Sequence, residues 1–138
     1  MKKVLVNIDL PVCSQESINK AISTLEDTKE FLFVSIIPDI YSHFWDYPKL
    51  NSEGRSMETN TKRLRLLSSS IKIPGTANTD IELVQGNPLD TILRFSEEHI
   101  IDIIILQYPT GYSFKELMAR RLARKLISKS KVPVMLIK

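Results

Sequence analysis

Arg120 and Arg121 stand side by side, with Arg124 and Lys125 close behind, a short distance after the run Gln107-Tyr108-Pro109-Thr110-Gly111. Guanidinium forks suit phosphate and carboxylate groups, because each presents several N–H donors in one plane. The run before them follows an apolar segment, Ile101–Leu106, and leads into a helix-like one. A loop carrying a parallel strand into a helix is the usual phosphate position in an α/β protein. Such loops are rich in glycine, which lets backbone N–H groups approach an anion closely. This loop has Gly111 alone. The chemistry on offer is anion binding by side chains, with little of a backbone cradle.

Charge is unevenly placed. Residues 113–138 hold eight Lys/Arg and one acid, Glu116, a net of +7; the whole chain carries +3, so residues 1–112 carry −4. A basic end of this kind attracts phosphates, nucleic acid or an acidic partner, and a solvated helix face is the plainer reading. Lys62, Arg63 and Arg65 form a second small cluster, but no nucleic-acid module accompanies either, so nucleic acid is not the expected partner. Apolar content of 43% and charged content of 25% are ordinary for a soluble globular chain. No apolar run approaches the ~20 residues of a membrane span, and the N-terminus, Met1-Lys2-Lys3-Val4, lacks a signal-peptide pattern. A lone cysteine forms no internal disulfide, and a reducing cytoplasm is the expected location.

Other reactive side chains assemble into nothing recognisable. Cys13 follows the first strand and reads as an unreactive, partly buried thiol. His43 and His99 are far apart, no Cys/His/Asp spacing fits a metal, and there is no Gly-x-Ser-x-Gly elbow. No catalytic residue is assigned. The aromatic run Tyr41, Phe44, Trp45 and Tyr47 reads as a loop packed on its own domain, or as a lid or partner surface.

The elements that must position the loop are apolar strands and amphipathic helices in alternation. Val4–Ile8, Phe31–Ile37, Ile81–Val84, Ile101–Leu106 and Pro133–Ile137 read as strands. Ile18, Ala21, Ile22 and Leu25 fall at helical spacing behind a Ser14 cap. Met57, Leu64, Leu67 and Ile71 suggest a second helix, ended by Pro74-Gly75. Asn87 and Pro88 suit the start of a third, with Leu89, Ile92, Leu93 and Phe95 on its buried side. Nearly all-apolar strands separated by helices indicate one domain over residues 1–138: a five-stranded parallel sheet covered by helices on both faces. Right-handed crossovers make 3-2-1-4-5 the expected order, reversing between the first and fourth strands. Ligands of such sheets lie beyond the carboxyl ends at the reversal, here Asp9–Cys13 and Gln107–Gly111.

Five pieces in order resemble the universal stress protein family: Val4-Leu5-Val6-Asn7-Ile8-Asp9; Phe33-Val34-Ser35-Ile36-Ile37-Pro38; Val84-Gln85-Gly86-Asn87-Pro88; Ile103-Ile104-Ile105-Leu106; and Val132-Pro133-Val134-Met135-Leu136-Ile137. The resemblance implies a Rossmann-like fold of the adenine nucleotide alpha hydrolase type. The ATP-binding branch carries Gly-x-x-Gly-x9-Gly-Ser. Counted back from Pro133, its last pair falls on Arg120-Arg121 and its first glycines on Gln107 and Thr110, with Gly111 one position late. The resemblance then implies cofactor-binding positions at Asp9, Ile36, Gln107, Thr110, Gly111, Arg120 and Arg121. The cofactor would be ATP or another adenine nucleotide, held weakly or not at all. Asp9 reads equally as a loop acceptor, Ile36 as core and the arginine pair as an exposed helix face.

Where the last helix begins decides what the arginines do. Ser113-x-x-Glu116 is a capping box and starts the helix at Ser113, leaving the arginines mid-helix and turned away from Met118, Leu122 and Leu126. The family pattern instead starts the long helix near Arg120. The last strand is an apolar sheet edge that invites pairing with another chain. The resemblance likewise implies a homodimer through Val132–Lys138. The expected function is that of a non-enzymatic stress-response accessory protein acting through its dimer and protein partners. The alternative is a nucleotide sensor or very slow ATPase using Asp9, Arg120 and Arg121.

Overall fold

Central strands apolar on both sides set the architecture before any loop is considered. In the computed structural model, which describes residues 2–8, 15–25, 27–38 and 77–137, the order is β1 (Lys2–Asn7), α1 (Gln15–Ser23), β2 (Thr28–Pro38), β3 (Asn78–Gly86), α2 (Pro88–Glu98), β4 (Ile103–Gln107), α3 (Phe114–Lys129) and β5 (Val134–Ile137). The strands form one five-stranded sheet in the order β3-β2-β1-β4-β5, and every pairing is parallel. The expected order and class therefore hold.

Alternation along each strand divides the core in two. Val4, Val6, Ile8, Phe31, Phe33 and Ile105 pack with Ile18, Ala21 and Ile22 of α1 on one face. Leu5, Leu32, Val34, Ile36, Ile104 and Leu106 pack with Ile92 and Phe95 of α2 and Ala123 and Leu126 of α3 on the other. β1 sits between β2 and β4, in register Val6↔Phe33 and Val6↔Ile105. The topological reversal lies there.

Strand ends differ from the sequence reading for identifiable reasons. β2 begins at Thr28 rather than Phe31, because the backbone of Thr28 and Glu30 pairs with β1 whatever the side chains' polarity. β4 begins at Ile103 rather than Ile101. Ile101 is buried, but it closes α2 instead: its N–H donates to the Ser96 carbonyl (3.0 Å) and that of Ile100 to Glu97 (3.4 Å). This is a Schellman ending, and Ile100 takes its left-handed position at φ 52°. Asp102 then ties β1 to β4 by accepting from the Lys3 N–H (2.8 Å) and donating its own N–H to the Lys3 carbonyl (2.9 Å).

Candidate functional site

The carboxyl ends of β1 and β4 are adjacent, with Asn7 opposite Leu106. From β4 the chain runs through Tyr108, Pro109, Thr110, Gly111 and Tyr112 into α3. The start of this loop is fixed to the neighbouring strand, since the Tyr108 N–H donates to the Ile137 carbonyl at 2.7 Å. Pro109 is buried, Gly111 half-buried and Thr110 exposed.

The capping box decides the helix start. Ser113 is the N-cap, and its Oγ accepts from the Glu116 N–H at 3.2 Å. The same hydroxyl donates to Glu116 Oε1 at 2.8 Å. The Glu116 carboxylate thus lies at the helix N-terminus, where backbone N–H groups favour negative charge. It also fills the space over Gly111, where an added Cβ would overlap it. A side chain at position 111 would turn the flexible Glu116 carboxylate aside.

Arg120 is consequently mid-helix, a turn and a half into α3, and it reaches back to the loop. Its Nη1 donates to the Pro109 carbonyl at 3.0 Å and to the Gly111 carbonyl. Its guanidinium lies 5.9 Å from the centre of the Tyr112 ring, within cation–π range. An arginine bound to two main-chain carbonyls holds the loop's shape. Arg121, one step (about 100°) round the helix, is exposed on the outer face. The pair read from the sequence is therefore divided between two roles.

The remaining candidate positions do not converge. Ile36 is buried in the core cluster beneath α2. Gln107 shares the alternation of Ile103 and Ile105, which face α1, and so lies on the opposite side of the sheet from Ile36. Thr110 points into solvent. Asp9, Cys13, His43, the aromatic run Tyr41–Tyr47, the basic cluster Lys62–Arg65 and the Met57–Ile71 helix lie outside the described residues. One expectation is corrected: Met118 is 36% exposed, and the buried stripe of α3 is Ala119, Ala123 and Leu126. Met118 is one helical step, about 100°, from Ala119, so the stripe that buries Ala119 and Ala123 turns Met118 outward. The parts that the residue types alone did not reveal are the Glu116 contact with Gly111 and the Arg120 reach-back. The spacing of Gly111, Ser113 and Glu116 was the available signal.

Among the described residues, no group of three His, Cys, Asp or Glu side chains could hold a metal ion. No helix of those residues is long and apolar enough to cross a membrane. The Glu116 carboxylate at the helix N-terminus and the Arg120 guanidinium on the loop carbonyls are the polar side chains placed against the described loop.

The model of the universal stress protein family matches residues 1–138. The chain belongs to this family. The universal stress protein UspA from Lactobacillus plantarum superposes with a TM-score of 0.68 at 17% identity, covering 99% of this chain and 97% of that one. A universal stress protein in complex with cAMP gives 0.65 at 16% identity, covering 98% and 94%. The universal stress protein from Archaeoglobus fulgidus in complex with dAMP gives 0.61 at 18% identity, covering 100% and 98%. At such identities these likenesses carry the universal stress protein fold and nothing finer. No curated protein matches the sequence.

Proposed function

We propose that this chain is a non-enzymatic stress-response accessory protein that acts as a dimer and has weak or lost ATP binding. The observation that carries the reading is the internally occupied loop. Arg120 bonds to the carbonyls of Pro109 and Gly111, and the Glu116 carboxylate covers Gly111. A triphosphate entering here would meet a fixed negative charge and would have to displace both side chains. Titration calorimetry with ATP, ADP and AMP is the test. The expected result is no saturable heat at high micromolar nucleotide, and tight ATP binding would overturn the reading.

A second reading is an adenine nucleotide sensor or very slow ATPase using Asp9, Arg120 and Arg121. What favours it is that two structural neighbours are complexes with cAMP and dAMP, ligands that ask less of a phosphate loop. Under it, an adenine nucleotide binds in the same titration, and Arg120→Ala and Arg121→Ala weaken that binding.

The dimer is proposed through β5. Its one partner within the described sheet is β4, and Leu136 is 38% exposed beside partly buried Val134, Met135 and Ile137. An apolar edge of this kind is relieved by antiparallel pairing with a second copy. Sedimentation should give a dimer at micromolar concentration; a monomer there counts against it.

A further inference from the structure

The outer face of α3 carries more than a solvated helix needs. Phe114 is 55% exposed, Leu117 49% and Met118 36%, while Tyr112 just before the helix is 87% exposed. Phe114, Leu117 and Met118 stand three and four residues apart and so form one surface strip. The same helical rotation places Arg121, Arg124, Lys125 and Lys129 on that strip, farther along the axis, and all four are exposed. The strip is divided lengthwise, apolar over the first two turns and cationic over the last two. The helix's own acid, Glu116, is turned to Ser113 and Gly111. Among the described residues, no ion pair engages the four cations.

We propose that this strip is a docking surface for an acidic amphipathic helix of a partner protein. The partner helix would set apolar side chains over Phe114, Leu117 and Met118, and Asp or Glu over Arg121, Arg124, Lys125 and Lys129. From Phe114 to Lys129 the strip runs about 22 Å, so a helix of about 15 residues spans it. Charge selects an acidic occupant, and a strip one helix face wide and about 22 Å long matches a single helix laid alongside. An anionic bilayer fits less well. Interfacial helices keep an apolar stripe along their whole length with cations beside it; here a depth that buries Phe114 and Leu117 would carry the cations of the same meridian inward. The α2 helix of a second copy is also a poor match. The exposed positions of α2 are Asp90, Arg94, Glu97 and Glu98, acidic on balance but without an exposed apolar anchor.

The test uses the full chain, labelled for amide NMR. The probe is a synthetic helical peptide of about 15 residues, with Leu over one half of a face and Glu over the other. Saturable binding with shifts confined to residues 112–129, weakened by added salt, is expected. Replacing the peptide's Glu by Lys should abolish it. Leu117→Asp with Met118→Asp should weaken it by ~30-fold or more. Both positions are exposed, and unchanged circular dichroism reports that the variant folds. Arg124→Glu with Lys125→Glu, which brings the four-position cationic half to no net charge, should abolish the preference for the Glu peptide over the Lys peptide. Equal binding of the two peptides, no binding, shifts elsewhere, or binding only to phosphatidylserine-containing vesicles would each overturn the proposal. ATP titration leaves this outcome untouched, so the two readings fail separately.

Discussion

Replacing Arg120 with alanine removes two main-chain hydrogen bonds and one ring contact at once. A hydrogen bond from a charged donor contributes about 1.5–3 kcal/mol. Here both bonds issue from one nitrogen, on a partly exposed side chain, so together they are worth about 1–2 kcal/mol. The Tyr112 contact, on a strongly exposed ring, adds about 0.5 kcal/mol. The expected loss is therefore about 2 kcal/mol, or roughly 6–10 °C in Tm for a chain of this size. Arg121→Ala, which touches nothing comparable, should stay within about 0.5 kcal/mol of the parent. Arg120→Lys keeps the charge without the planar fork and should fall between the two. Urea unfolding of the three variants, with equal slopes, provides the measurement. An arginine held in reserve for phosphate would give the opposite result. Removing it from a cluster of cations would leave the ligand-free protein unchanged or more stable. Equal midpoints for Arg120→Ala and Arg121→Ala would refute its role in shaping the loop.

Three further outcomes follow from local structure. Ile100→Gly should stabilise the chain by about 1 kcal/mol in urea titration, since Ile100 is β-branched, 77% exposed and held at φ 52°. Thr28→Val should be neutral or stabilising by up to ~1 kcal/mol in the same assay, because the buried Thr28 Oγ1 has no hydrogen-bond partner among the described residues. Ser113→Ala should lose ~1 kcal/mol with the N-cap; it should also speed amide exchange at Glu116 and loosen the carboxylate over Gly111.

The fold was legible because its central strands β1, β2 and β4 are apolar on both sides. Runs such as Ile103–Leu106 and Phe31–Val34, short and alternating with helical segments, indicate central parallel strands, and right-handed connections leave few orders for them. The loop's place was legible for the same reason. Its interior arrangement was less so. Arg120 and Arg121 are identical in type and adjacent in sequence, and one helical step sends one to the loop and the other to solvent. The capping box contained the answer, since it fixed the helix start and so the angular position of every later residue. Met118 was misplaced because hydrophobicity outweighs alanine in a periodicity reading. Close packing instead selected Ala119 and Ala123, with Leu126 completing the stripe. Ile101 read as strand because burial and strand pairing look alike in a short apolar run.

The acceptors for Arg120 are main-chain carbonyls, and that shapes how the loop can change over time. Main-chain acceptors are present whatever side chain a position bears. Arg120 lies 11 residues beyond Pro109 and 9 beyond Gly111, and it recognises no side chain there. Exposed Thr110 is correspondingly tolerant of replacement, and Gly111 is restrained by Glu116 rather than by the arginine. Mutational sensitivity is thereby moved out of the loop and gathered on the helix behind it.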